Sequence, residues 1–164
     1  MEMKERIFNE VENKLKALNF EIVSSDKSRP WGGFFVINEN QAADFAKLFF
    51  ARMGIEELNI SGKLSPKILL VAPGMRLSWQ YHFRRAEIWK VLEGVVGVIK
   101  SLTDEETELK EYGSGELIEL TQGERHRLVG LKEWGVIAEI WQHTNANSPS
   151  DEEDIVRLQD DFGR

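Results

Sequence analysis

Between residues 67 and 143 the chain is a succession of short β-forming runs cut by glycine turns, and this pattern limits its fold more than any other feature. The runs span 67–72, 77–83, 88–92, 95–102, 106–112, 116–120, 125–129 and 136–143. Pro73-Gly74, Glu93-Gly94, Gly113-Ser114-Gly115 and Gln122-Gly123 punctuate them, each a residue group that reverses the chain at low steric cost. Many short strands joined this way predict an antiparallel sandwich or barrel.

Upstream the periodicity is helical. Met3, Ile7, Val11, Leu15 and Leu18 recur on one face, and Asn19 is a stop signal. A short strand at 20–23 and a polar stretch at 24–28 lead to Arg29-Pro30-Trp31-Gly32-Gly33 and a strand at 34–37. Asn38 and Gln41 have the spacing of a capping box, opening a second helix with Ala42, Phe45, Ala46, Phe49, Phe50 and Met53 on its apolar face and Gly54 at its end. Residues 145–150 read as a loop, and an acidic segment, 151–164, follows. There is no internal repeat and no linker composition. The expected organisation is therefore one domain, 1–164, with 1–56 a helical N-terminal extension carrying the Arg29-Pro30-Trp31-Gly32 strand and 57–164 the barrel and C-terminal segment.

Composition narrows the function classes. A chain of 164 residues buries roughly 70% of its unfolded surface, and five tryptophans and nine phenylalanines need that interior. The absence of cysteine removes disulfides, thiolate metal sites and thiol nucleophiles together. A net charge of −7 argues against nucleic-acid and anionic-membrane partners, though not against a small anion held by a few arginines. The longest apolar stretches, such as 68–73, fall far short of the roughly 18 residues of a membrane span. With a charged N-terminus and no signal peptide expected, the predicted location is cytoplasmic.

The chemistry gathers around the histidines. Gln80 and His82 lie two apart in a strand-like run and share a face, Glu87 follows at the start of the next run, and His126 sits in a later hairpin. If the strands close into a barrel, these four side chains converge on its interior as a site for a divalent first-row metal with an open position. The alternative is a pair of polar residues on a solvent-facing strand and a histidine in an exposed turn.

The spacing also carries a resemblance. Gly74, Gln80, His82, Glu87 and Gly94 stand in the register of the first cupin motif. Gly115, Thr121, Gly123, His126 and Gly130 stand in that of the second, with Gln80 replacing a histidine, Thr121 a proline and Gly130 an asparagine. Residues 73–89 (PGMRLSWQYHFRRAEIW), 123–128 (GERHRL), 139–142 (EIWQ) and 154–164 (DIVRLQDDFGR) resemble the type II mannose-6-phosphate isomerase domain, as does the RPWG motif at 29–32. The likeness covers about 29–37 and 66–164, in family order. Members are often fused to a sugar-nucleotide guanylyltransferase domain, which these residues do not include. The helix at 39–53 and the segment 143–150 also depart from the typical member.

The resemblance implies a mainly β, jelly-roll cupin barrel with helices packed outside, and a metal-dependent aldose–ketose isomerase acting on a phosphorylated sugar. The implied ligands are Gln80, His82, Glu87 and His126. Zinc is the first expectation for the ion, with manganese, iron, nickel and cobalt as alternatives. Glu139 and His143 are candidate bases, and Arg157 joins them in the catalytic set. Arg29, Arg84, Arg85 and Arg164 are candidates for the phosphate, since guanidinium forks bind it bidentately. Rival functions are a non-catalytic sugar- or metal-binding cupin and another cupin enzyme such as an oxygenase. A homodimer is a possible assembly, suggested by helix faces that need covering.

Overall fold

A computed structural model describes residues 2–58 and 62–163. Two antiparallel sheets face each other. The first, of six strands, runs in the order β1 (Ile22–Asp26), β2 (Gly32–Ile37), β3 (Lys67–Val71), β10 (Gly135–His143), β5 (Arg85–Glu93), β8 (Leu117–Leu120). The second has five: β11 (Val156–Gln159), β4 (Trp79–Tyr81), β9 (Arg125–Gly130), β6 (Val96–Ser101), β7 (Lys110–Tyr112). Helix α1 (Met3–Ala17) and the short α2 (Ala42–Phe49) and α3 (Ile55–Leu58) precede the barrel. The mainly β, cupin-type expectation holds.

Strand parity divides the apolar residues into two cores. Leu69, Val71, Trp89, Val91 and Ile137 point inward from the first sheet and meet Val96, Val98 and Leu128 of the second. Their neighbours Ile68, Leu70, Ile88, Val136, Ala138 and Ile140 point outward, into a layer built by Phe8, Val11 and Leu15 of α1 and Phe45 of α2. Each such side chain contributes about 1.5–3 kcal/mol on full burial. At eight residues α2 is too short to persist alone, so this packing holds it. The helix faces that pointed to a partner chain are thus covered by the chain's own sheet.

Several boundaries differ from expectation. The second helix ends at Phe49 instead of running to Met53, because Phe50 leaves helical geometry at φ −122°, ψ 37° and drops into the outer core. No capping box forms: Asn38 accepts from the Asn40 N–H, while Gln41 crosses to the β1 lead-in, accepting from Glu21 N–H at 2.6 Å and donating to Asn19 O at 2.7 Å. The run at 106–112 contracts to β7 and that at 77–83 to β4, and β11 forms inside the acidic C-terminal segment. Asn19 does end α1, in left-handed geometry at φ 66°. Asn19→Ala is expected to cost about 1 kcal/mol in a urea titration, since alanine tolerates that region less well than asparagine. No helix among the described residues is long and apolar enough to cross a membrane.

Candidate metal centre

Three strands deliver the site. Gln80 lies on β4 opposite His126 on β9, and His82 follows one residue beyond β4. Glu87 points inward from β5, on the same face as Arg85 and Trp89. Donor atoms of His82, Glu87 and His126 all lie within 4.8 Å of one another, and all three residues are buried.

Hydrogen bonding fixes what these groups present. His82 donates its Nδ1–H to the carbonyl of Asp154 at 2.7 Å, and His126 donates its own to the carbonyl of Glu124 at 3.0 Å. Both Nε2 lone pairs are therefore turned toward Glu87, 3.2 Å from Oε2 for His82 and 3.6 Å from Oε1 for His126. Three sets of lone pairs converge beside a cationic neighbour, the Arg85 guanidinium, which donates from Nη2 to His82 Nε2 at 3.3 Å; a donor set gathered around positive charge also suits a metal ion. Gln80 Oε1 accepts from the Ser78 hydroxyl at 2.6 Å while its Nε2 lies 3.5 Å from His126 Nε2, so a half-turn of the amide would present oxygen there. Burial pushes the His82 imidazole down to about 4 against the pull of Glu87, and burial pushes His126 down as well. Burial alone would raise Glu87, but the Arg85 guanidinium, with Nε 2.7 Å from Oε2, holds its carboxyl well below the usual range. Neutral imidazoles beside an ionised carboxylate are the forms that bind metal. The residues fit a divalent ion.

Behind the centre lies a cavity of about 90 Å³, lined on its inner wall by Gln80, Glu87, Trp89, Glu139 and Trp141. Glu139 is buried and accepts from Trp89 Nε1 at 2.8 Å and Trp141 Nε1 at 3.0 Å. Burial first, and then the charge of Glu87, push its carboxyl up to about 8, against Lys67 and Arg85. Sequence parity left the direction of Glu139 open; the paired register of β10 points it inward.

The other candidates separate. His143 is fully buried beneath Trp141 and does not line the cavity; its Nδ1 accepts the Ser150 N–H at 2.9 Å, and its Nε2 lies 2.9 Å from the Ser65 hydroxyl. Arg85 turns inward, its guanidinium 3.6 Å from the Trp141 ring centroid. Arg84 turns outward to Asp151 and Ser148. Arg29, held by Asp26 at 2.9 Å, and Arg157 both line the cavity. Arg164 lies outside the described residues.

Sequence reasoning missed several participants. Trp89 and Trp141, which the sequence offered no polar role, hold Glu139 through their indole N–H groups. Lys67 and Glu152 also line the cavity. Asp154 lies in the acidic segment, and its carboxylate accepts the N–H groups of Phe83 and Arg84 and the Ser150 hydroxyl, fixing the carbonyl that orients His82. Nothing in a run of four acidic residues singles it out. Asp154→Ala is expected to weaken metal binding by about 10–100-fold without touching a ligand, measured by calorimetric titration.

Two facing antiparallel sheets with this centre between them define a cupin. The fold is shared with oxalate decarboxylase from Bacillus subtilis, 16% identical over 82% of this chain with a TM-score of 0.57, and with vicilin from tomato, 16% identical over 80% with a TM-score of 0.53. An oxalate oxidase in complex with glycolate is 22% identical over 58% of this chain, with a TM-score of 0.47. The chain spans 30%, 32% and 46% of those three proteins, respectively. The family is narrower than the fold: the model described as mannose-6-phosphate isomerase C-terminal matches residues 50–160, and the chain belongs to that family. A search of curated proteins found no match.

Proposed function

We propose that this protein is a metal-dependent aldose–ketose isomerase acting on a sugar phosphate. The observation that carries the reading is Glu139: a buried carboxyl beside the metal centre, inside the cavity, with its pKa pushed up to about 8. A general base works best when its pKa lies near the operating pH. Family membership supports the same reading.

A divalent ion held by His82, Glu87, His126 and Gln80 would act as a Lewis acid on the oxygens of the substrate's first two carbons. Glu139 takes the proton from the hydroxyl-bearing carbon and returns it to the neighbouring carbonyl carbon, passing through an enediol; the hydroxyl proton crosses between the two oxygens in the same sense, so that the hydroxyl becomes the new carbonyl and the old carbonyl the new hydroxyl. Trp89 and Trp141 fix the carboxylate through this exchange. Arg29 and Arg157 face the cavity and supply positive charge for the phosphate, whereas Arg84 pairs outward. His143 acts at one remove, holding Ser150 and with it the segment that carries Asp154.

The test is a coupled assay on metal-reconstituted protein with mannose 6-phosphate and a panel of other aldose and ketose phosphates. Turnover that is lost with a chelator and restored with metal is the expected result. Metal bound with no turnover on any of them would move the assignment to a non-catalytic sugar- and metal-binding barrel, a reading favoured by one observation, the small volume of the cavity, about 90 Å³.

A further inference from the structure

Lys67 is the one buried lysine among the described residues. It opens β3 and points inward with Leu69 and Val71, its ammonium 4.4 Å from the centroid of the Trp141 ring and 5.0 Å from that of Phe34. Its charge is met by Glu152, on the turn after β10, and both residues line the cavity. The two partners are unequal. The Lys67 side chain is 7% exposed and that of Glu152 66%. Lys67 is fixed by a central strand and two aromatic rings. Glu152 sits between Asp151 and Asp154, whose own hydrogen bonds anchor the turn without using the Glu152 side chain.

We propose that Lys67 recognises the ligand's anionic group together with Arg29 and Arg157 at the cavity wall, and that Glu152 occupies the place of that group until the ligand displaces it. The inference deepens the sugar-phosphate reading and rests on it for the ligand class. Releasing Glu152 costs little, because an exposed carboxylate is well solvated outside the pair. Leaving Lys67 bare in the interior costs much more, so the exchange goes forward only when another anion arrives. The pair therefore selects a phosphorylated ligand over the neutral sugar. It also reconciles the free volume with the ligand, since Glu152 forms part of the wall that limits it.

Strand geometry matches the ligand. Lys67 pairs with Glu139 on β10, and Glu139 pairs with Trp89 on β5, the strand that carries Glu87. Lys67 and the metal centre are thus two strand spacings apart, about 10 Å between backbones, with Glu139 between them. A ligand whose anionic group is several bonds from its reacting carbons suits that spacing. Trp31, in the same lining, carries a buried Nε1–H with no partner among the described residues, and a ligand oxygen would satisfy it.

The experiment is calorimetric titration of inorganic phosphate into metal-reconstituted wild type, Lys67→Met, Glu152→Gln and the double variant, with metal content measured for each. Glu152→Gln is expected to bind phosphate about tenfold more tightly than wild type, and Lys67→Met at least about tenfold more weakly. The double variant should follow Lys67→Met, and all four should keep their metal. If Lys67→Met does not fold, Glu152→Gln alone decides: phosphate binding no tighter than wild type overturns the inference. Equal affinities across the set overturn it too. Isomerase turnover with KM for the sugar phosphate unchanged in both single variants would sink this inference and spare the isomerase reading. The expected phosphate pattern in a protein without turnover would do the reverse.

Discussion

Replacing His82 and His126 together with alanine is expected to abolish metal retention while the barrel stays folded. Metal binding to a preformed N/O/S site is worth on the order of 10 kcal/mol. Two of four donors carry about half of that, so their loss weakens binding by roughly three to four orders of magnitude. The fold survives because the barrel core and the outer layer are built from apolar side chains that the exchange leaves in place. Glu87 is not orphaned either, since Arg85 remains on its carboxylate at 2.7 Å. The cost is the space left by two buried rings and the hydrogen bonds they made, to the carbonyls of Asp154 and Glu124 and from Arg85 Nη2. Elemental analysis after dialysis reads the metal, and near-ultraviolet circular dichroism reads the packing. Stoichiometric metal in a folded double variant would show that the ion, if any, sits elsewhere.

The sequence carried the polar end of the barrel unevenly. Gln80, His82, Glu87 and His126 were legible because two glycine-punctuated motifs hold them in register, and the structure brings donor atoms of the last three within 4.8 Å. Glu139 was legible by family likeness but not by direction. Every residue of β10 except Gln142 is buried, so the strand has no polar face from which to read its parity. That double burial comes from the outer helices, whose own apolar faces looked equally suited to a partner chain. Lys67 had a weak local signal, a lysine heading an otherwise apolar run. Glu152 had none, and Asp154 had only its place at the head of the family-like segment 154–164: the roles of the four adjacent acids at 151–154 are assigned by a turn whose geometry depends on His143, Ser150 and β4, some of them distant in sequence. Likewise β11 is too short and too polar to announce itself; it exists because β4 offers it an edge.

Glu139→Gln has the second large expected effect, and it reads out in two independent ways. Turnover should fall by about 10²–10⁴-fold, the usual share of a general base, with metal content unchanged because Glu139 is not a ligand. Stability should respond as well. In the folded, metal-free protein the carboxyl titrates at about 8, against 4.5 for the ordinary value that the unfolded chain recovers. Between those values the unfolded state has released a proton that the native state keeps. The unfolded state binds fewer protons, so stability falls as pH rises through that window and levels off above it. Glutamine cannot ionise, so the variant loses this contribution to the slope while keeping a carbonyl oxygen for a tryptophan N–H. Urea denaturation of the metal-free proteins at pH 5 and pH 8 measures the difference: wild type should lose more stability than the variant between the two. An equal loss would mean that Glu139 does not hold its proton in the folded state, and an unchanged kcat would take it out of the reaction.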